Sequence, residues 1–496
     1  MPSIIIKEID ATTGGGSTGV VDIAYVPGFR VGKTYTEAWP YDDKKKEVDI
    51  SQAAPIKEPI LCETIDEFER YFGKVPASTV MSGGTKTSIT YGYLDPLFNL
   101  ESLEIDAEAK FTDVDLSYIY AKELIKLGIP VLYEAVIEIE KTVDGVGRGL
   151  TAEDITDLYS YLADGSEGPF TRLEERGEFD VKYLTTGGYP NFEVTPSTTT
   201  TTSAEATVAE GEEEETTTET SNSGTDIITL MRECAKTRGD CVAFVDHINI
   251  PSRDLIGSDS FYDNLKTNFI DSGEGSTVNS FMTAFTPWVN IVTTTLKNNG
   301  TYSMPGSYAY LSALGQSIQT NANWLAIAGA ARGSIPNLDG SKPLCVDKTL
   351  TNTIAESVYQ NRDGVSINAI TNIKPFGYRI WGNRTLKDNS AERNLTATSF
   401  LNIRNLVSDV KKVVYQACKK YTFEQNNDLL WTNFKAYIEP TLEKMRTGAG
   451  ISGYKIVKGT TTEKAKLVAT IKLYPVYAVE DFEITVVMED EEISVN

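Results

Sequence analysis

The chain has few of the side chains on which enzyme and metal sites depend. Its 496 residues include a single histidine, His247, and five scattered cysteines. A Ser-His-Asp triad needs a histidine as its base, and Asp246 is badly placed to orient His247 because neighbouring strand residues point to opposite faces. Cys234 and Cys241 lie seven residues apart, without the histidines that would complete a zinc site. We therefore predict no enzyme activity, no cofactor and no metal, and we place His247 in a loop.

Long apolar segments and complete phosphate-binding loops are also missing. No run of about 18 apolar residues occurs, so no membrane span is predicted. The N-terminus has no basic region followed by a long apolar run, which argues against a secretory signal. Residues 28–34, GFRVGKT, are one residue short of a P-loop, and we expect them in a turn with no helix after it. The odd number of cysteines in a large chain predicts reduced thiols.

Basic residues are outnumbered overall, but they are concentrated in one part of the chain. The chain has 46 Lys and Arg against 70 Asp and Glu, a net charge of −24, which argues against a nucleic-acid partner. Residues 355–478 carry 19 basic and 10 acidic side chains, whereas residues 479–496 carry seven acidic and no basic ones. This asymmetry is either chance combined with solubility or the sign of a basic domain that docks onto an acidic surface.

The stretch from residue 364 to residue 431 carries the clearest secondary-structure signals. An apolar run around Ile367 and the alternating residues of GYRIW predict a pair of strands. A helix follows, because apolar residues recur at steps of three and four and Ser399 can cap its start. Lysines toward its C-terminal end suit the helix dipole. The apolar stripe comprises Phe400, Ile403, Leu406, Val407, Val410, Val413 and Val414, and the lysines are Lys411, Lys412, Lys419 and Lys420.

Shorter patterns elsewhere predict further helices and strands. Thr64 is expected to cap a helix over residues 65–72. Residues 195–225 contain no aromatic and almost no aliphatic side chain, so we predict a flexible acidic insertion within one α/β domain. Strands are predicted at residues 3–9, 19–26, 129–136, 241–247, 466–473 and 479–488, and helices at residues 113–127, 151–162 and 226–237.

Several motifs are similar to those of one known family. The motifs are GYRIWGNRTL at residues 377–386, FLNIRN at residues 400–405, FEQN at residues 423–426 with Leu430 and Trp431, PWV at residues 287–289 and NWLAIAGA at residues 323–330. This combination resembles the contractile tail sheath proteins of phage tails and related injection machines. Asn405 departs from the family pattern, which often has an arginine there.

The resemblance implies an α/β and α+β multidomain fold. It implies a subtilisin-like α/β middle domain without a catalytic triad, and an α+β C-terminal sheath domain with exchanged terminal strands. The segments so predicted are an N-terminal arm strand (1–26), an outer N-terminal region (27–112), the middle domain (113–350), the inner C-terminal domain (355–478) and a C-terminal strand or arm (479–496).

The function implied by the resemblance is structural. Subunits of this family form helical stacks of hexameric rings around a tail tube and contract to drive the tube through the target cell envelope. The implied partners are further copies of the chain, the tail tube protein, and baseplate and tail terminator proteins, with no nucleic acid and no membrane. The implied location is the virion tail, after assembly in the host cytoplasm. The alternative is a non-enzymatic surface-layer or extracellular binding protein, which a signal peptide would favour.

Two sets of contact residues follow from this interpretation. The arms are expected to add strands to a neighbouring subunit's sheet, although residues 479–488 also fit an ordinary last strand. A helix over residues 428–446 is expected to face the tube, although it also fits a solvated surface helix. The strand-exchange residues are Ile4, Ile5, Ile6, Phe482, Ile484 and Val486, and the tube-facing residues are Lys435, Lys444 and Arg446.

Overall fold

A computed structural model gives the fold of most of the chain. It describes residues 21–31, 55–72, 81–82, 85–86, 116–139, 152–190, 223–247, 278–293, 300–346, 350–359, 364–388 and 395–480. The predictions on residues 3–9, on most of residues 195–225 and on residues 481–488 lie outside these ranges.

The described part of the chain contains both strands and helices throughout its length. The strands are β1 (Ala24–Val31), β2 (Pro59–Cys62), β3 (Met81–Ser82), β4 (Thr85–Lys86), β5 (Val131–Ile139), β6 (Tyr183–Leu184), β7 (Val242–Val245), β8 (Met282–Thr286), β9 (Val289–Thr293), β10 (Gly300–Met304), β11 (Asn368–Ile373), β12 (Gly377–Trp381), β13 (Ile451–Lys458) and β14 (Ala469–Pro475). The α-helices are α1 (Ile65–Phe72), α2 (Leu116–Lys126), α3 (Ala152–Leu162), α4 (Pro169–Leu173), α5 (Ser223–Arg238), α6 (Gly306–Ile318), α7 (Gly329–Arg332), α8 (Asn352–Tyr359), α9 (Leu401–Tyr421) and α10 (Asp428–Thr447).

One eight-stranded sheet forms the centre of the fold. Its order is β12-β11-β8-β7-β6-β1-β5-β2. The six strands from β11 to β5 run parallel to their neighbours, and the edge strands β12 and β2 are antiparallel. Central strands of a parallel sheet are covered on both faces, which explains why β1 is apolar and why its residues from Ala24 to Phe29 are buried.

Most of the predicted elements are confirmed. The helices predicted at residues 65–72, 113–127, 151–162 and 226–237 are α1, α2, α3 and α5, and the strands at residues 129–136, 241–247 and 466–473 are β5, β7 and β14. Thr64 caps α1 as predicted: its hydroxyl accepts from the amide of Glu67 at 3.2 Å, and the Glu67 carboxylate accepts from the amide of Thr64. The helix α5 begins at Ser223, inside the end of the predicted insertion, and it joins the neighbouring strands β6 and β7.

The predicted strand pair and long helix are confirmed, but the helix cap is wrong. The strands β11 and β12 pair antiparallel, and α9 follows them. Ser399 lies in a 3₁₀ turn (Ala397–Ser399), where its hydroxyl accepts from the amide of Thr396 at 3.3 Å. Phe400 therefore occupies the N-cap position of α9 without a side-chain cap.

The sheet takes strands from four of the predicted segments, since β2 lies in the predicted outer N-terminal region. Ala24 to Val26, which the domain prediction assigns to the arm, begin β1 in the middle of the sheet. The strand β11 comes from the predicted C-terminal domain and pairs with β8 of the predicted middle domain. The boundaries between these domains stay a prediction.

The prediction that residues 28–34 form a turn is wrong for residues 28–31, which belong to β1. Gly28 lies where α2 crosses this strand, and a Cβ there would come within 1.9 Å of the Ser117 hydroxyl. A side chain at this position would force the helix away from the sheet. Close packing therefore explains the glycine that made this segment look like a phosphate-binding loop.

All five cysteines are free thiols, in agreement with the predicted reduced state. Among the residues that the structure describes, no helix has the length and apolar character required to cross a membrane.

A buried ion cluster joins three distant parts of the chain. The Lys182 ammonium lies 2.6 Å from Asp22 and 2.6 Å from Asp409, and all three side chains are buried. The Asn323 amide donates to both carboxylates at 3.2 Å. Two carboxylates thus share one ammonium, and burial raises the pKa of Asp409 to about 6.

The raised pKa of Asp409 predicts a pH-dependent stability. The folded state holds this proton more tightly than the unfolded state, where the pKa is about 3.9, so the stabilisation is present at low pH and lost as pH rises through about 6. Between about pH 5 and pH 7, the free energy of unfolding of the wild type should fall by about 1 kcal/mol relative to Asp409→Asn. Urea unfolding at the two pH values measures this. Asp428→Asn, which removes an exposed carboxylate, is the control. A constant difference between wild type and Asp409→Asn would contradict the assignment.

Candidate assembly surface

The helices α9 and α10 form an antiparallel pair beside the sheet. Asn427 caps α10, since its side chain accepts from the amide of Leu430 at 2.9 Å. The facing side chains recur at helical spacing and form an apolar cluster together with Trp324. The buried members are Leu406, Val410 and Ala417 on α9, and Phe434, Ile438, Leu442 and Met445 on α10.

Polar residues on another face of α9 fix it to the sheet. Arg404 is fully buried; its guanidinium donates to the Ser280 hydroxyl at 2.5 Å and lies 4.1 Å from the centre of the Phe281 ring. Asn405 donates to the Tyr310 hydroxyl at 2.9 Å. A buried charge or amide is costly unless it is paired, so these contacts set the position of α9 on the sheet.

Lys412 belongs to the same contact and not to the helix terminus. Its ammonium pairs with Asp180 and donates to the Val181 carbonyl at 2.9 Å. Lys411 is also buried, with its ammonium 5.6 Å from the centre of the Phe281 ring. The interpretation of these two lysines as dipole charges is therefore wrong. It holds for Lys419 and Lys420, which lie in the last turn of α9.

The strands β13 and β14 form a separate two-stranded sheet on α10. Tyr454, Ile456, Ile471 and Leu473 pack into the apolar cluster of the helix pair. The Tyr454 hydroxyl also donates to Glu443 of α10 at 2.9 Å. Within the described ranges, neither outer edge of this hairpin pairs with a further strand. Both edges therefore present backbone donors and acceptors to a possible third and fourth strand.

The solvent-facing side of this hairpin carries a pair of like charges. Lys455 and Lys472 lie directly opposite each other, and both are exposed. None of the ion pairs between described residues involves either lysine. Like charges placed opposite each other destabilise a strand pair, and lysines on an exposed two-stranded sheet discourage indiscriminate pairing.

The predicted tube-facing residues all lie on α10. Lys435 pairs with Glu439 at 3.1 Å and Arg446 with Glu443 at 2.9 Å, each within the helix. Lys444 is exposed, and its side chain forms no ion pair with any described residue. Exposed pairs of this kind contribute about 0–1 kcal/mol, so a partner's carboxylate can replace the helix's own at small cost. The predicted strand-exchange residues lie outside the described ranges.

Asp246 and His247 have different hydrogen-bond partners. The Asp246 carboxylate accepts from the Ser307 amide at 2.9 Å, at the start of α6, and from the Ser307 hydroxyl. His247 is buried, and its Nε2 lies 2.9 Å from the Thr286 hydroxyl. The aspartate therefore holds a helix terminus. The sequence signal for this role was the aspartate at the end of a strand, but its partner lies 61 residues away.

Comparison with known proteins gives one curated relative and several structural neighbours. The chain is 26% identical over 163 residues to the tail sheath protein of Vibrio phage KVP40, a match that covers 32% of this chain and 22% of that protein. The fold is similar to a chain of the sheath complex of the PVC extracellular contractile injection system in its contracted state, with a TM-score of 0.50, 14% identity and coverage of 99% and 98% of the two chains. No family model matches the chain.

The predicted resemblance to contractile tail sheath proteins is confirmed. A second neighbour agrees: a chain in the contracted baseplate of the anti-feeding prophage has a TM-score of 0.52 at 13% identity, with 99% of each chain covered. The mixed α/β fold is thus that of contractile sheath structures. The curated match spans less than a quarter of the phage sheath protein, so assembly and partners are matters for proposal.

Proposed function

We propose that this chain is the structural subunit of a contractile tail sheath. The observation that carries the proposal is the β13–β14 hairpin, which is fixed on α10 by one face and has two outer edges unpaired within the described ranges. The chain has two predicted strand arms, at residues 3–9 and 479–488, and the hairpin has two edges. One arm from each of two neighbouring subunits would complete a four-stranded sheet.

Strand addition suits a tube that must change shape without coming apart. Backbone hydrogen bonds along each added strand tie neighbours together, and alternate side chains give specificity. Ile4, Ile5 and Ile6 of one arm and Phe482, Ile484 and Val486 of the other are the proposed contact residues. The body of each subunit, built on one sheet, can then rotate while the arms keep the neighbours connected.

Contraction follows from two states of this connected lattice. Hexameric rings stack as a helix around the tail tube in an extended state that is kinetically trapped. Rotation of the subunits then forms better packed outer contacts and drives the tube through the target envelope. The proposed partners are further copies of the chain, the tube protein, and the baseplate and tail terminator proteins, in a virion tail assembled in the host cytoplasm.

The proposed role is structural and not enzymatic. The parallel sheet with its α5 crossover supports a subtilisin-like interpretation of the middle domain. Asp246, at the end of β7, caps α6, and His247 contacts the Thr286 hydroxyl. In this arrangement the fold supplies rigidity, and no reaction is assigned to it.

Charge is proposed to hold the extended sheath on the tube. The helix α10 carries Lys435 and Arg446 on one flank and Lys444 on the opposite flank; Lys444 and Arg446 are exposed and Lys435 is partly exposed. Carboxylates on an acidic tube surface would pair with Lys444. They would also compete with Glu439 for Lys435 and with Glu443 for Arg446.

Deletion of residues 1–16 should abolish tube formation and leave the subunit folded. The deleted segment precedes the described sheet, so the free protein should remain soluble and unfold cooperatively. Negative-stain electron microscopy and a thermal melt measure the two properties. A control variant lacks 16 residues of the acidic insertion, 199–214, and should still form tubes. Normal tubes from the arm-deleted protein would contradict the strand-exchange proposal.

Reversal of charge on α10 should weaken the contact with the tube and spare self-assembly. Lys444→Glu combined with Arg446→Glu should reduce co-sedimentation with the tube protein, most strongly at low salt, because exposed charges are screened by ions. Its cost to folding should be within about 1 kcal/mol, since the one pair that is lost is exposed. Lys464→Glu with Lys466→Glu makes the same charge change on the hairpin turn as a control. Unchanged co-sedimentation of the α10 variant would remove α10 from the proposed interface.

A further inference from the structure

The chain leaves the hairpin at Pro475 and returns to the large sheet within five residues. The Tyr477 ring packs edge-on against the Phe400 ring at 5.2 Å between centroids. The Glu480 carboxylate forms an ion pair with Arg384. The predicted C-terminal arm therefore starts from the sheet side of the molecule, although β14, which precedes it, packs on α10.

The contacts around Glu480 form a closed, largely buried group. The Arg384 and Glu480 side chains are 10% and 18% exposed. The Arg384 Nε donates to Glu480 at 3.2 Å, and the Tyr359 hydroxyl of α8 donates to the same carboxylate. The guanidinium also lies over two rings, 4.7 Å from the centre of Phe400 and 5.3 Å from the centre of Tyr359. Charge-assisted bonds of this kind are stronger than neutral ones.

Arg384 is held in turn by two strands near one edge of the large sheet. Its amide donates to the Asn368 side chain at 2.7 Å, and its carbonyl accepts from Asn368 at 2.9 Å and from Thr283 at 3.0 Å. Asn368 begins β11 and Thr283 lies in β8. Glu480 contacts Arg384, and Arg384 contacts these two strands, so Arg384 connects Glu480 to the large sheet. Arg384 is also the second arginine of the GYRIWGNRTL motif.

We propose that Arg384, Tyr359 and Glu480 form a joint that fixes the base of the C-terminal arm to the large sheet. A second copy of this chain that grips residues beyond 480 then pulls on the sheet of the first copy, whereas the first copy's own two-stranded hairpin carries none of that load. Arg384 is a positioning residue: it sets where the arm leaves the body. This inference rests on the proposed strand exchange for its purpose, but the joint itself can be tested in the free subunit.

Hydrogen exchange of the purified full-length subunit tests the joint directly. Glu480→Ala should raise amide exchange across residues 476–480 about tenfold or more relative to the hairpin residues 451–458, the loss expected for a hydrogen bond to a charged group. The melting temperature should fall as well, because the nearly buried Arg384 then lacks its carboxylate. Tyr359→Phe keeps the ion pair and should give a smaller rise. Glu463→Ala removes an exposed ion pair of the hairpin, with Lys466, and should change nothing at residues 476–480. Unchanged exchange in Glu480→Ala would overturn the joint.

The resistance of assembled tubes to urea tests whether the joint carries load between subunits. Tubes of Glu480→Ala should fall apart at a lower urea concentration than wild-type and Glu463→Ala tubes, and Glu480→Gln, which keeps hydrogen-bonding atoms, should lie between. Tubes of wild-type resistance from Glu480→Ala would overturn the load-bearing role. If the wild type forms no tubes, the proposed function fails, and the exchange experiment still decides the joint.

Discussion

The structure depends on a lysine buried between two carboxylates. Lys182 precedes β6, Asp22 precedes β1 and Asp409 lies in the middle of α9, so one ion cluster holds the first described strand, the sheet and the long helix together. Removing Lys182 would leave two buried carboxylates without a counter-ion, at a cost of about 3–5 kcal/mol. Together with the Arg404 and Asn405 contacts, the cluster therefore fixes how α9, and with it the α10 pair and the hairpin, sits on the sheet.

Each end of the described chain is fixed to the large sheet by an ion pair. Asp22 lies near the end of the predicted N-terminal arm (1–26), and Glu480 lies at the start of the C-terminal one (479–496). Each is a carboxylate that pairs with a buried or nearly buried cation fixed to the large sheet, Lys182 in one case and Arg384 in the other. Apolar packing alone is non-directional, whereas such pairs fix a position. A subunit that is connected by its arms needs their bases fixed in this way.

Local signals predicted the elements well, and long-range contacts explain what was missed. The Thr64 cap, the apolar stripe of α9 and the alternation in β12 depend on residues within a few positions of one another, so periodicity and cap chemistry were sufficient. The contacts of α9 with the sheet could not be read in the same way. Asn405 bonds Tyr310, 95 residues away, and Lys412 bonds Asp180, 232 residues away. The same limit applies to Gly28, whose meaning depends on Ser117 in another element.

Cryo-electron microscopy of the purified full-length protein, alone and with its tube protein, tests the central claim most directly. The account predicts hollow helical tubes in which the outer edges of β13 and β14 each carry an added strand from a neighbouring subunit. Tubes in which both edges remain bare would contradict strand exchange at the hairpin. Single particles under both conditions would contradict the sheath function itself.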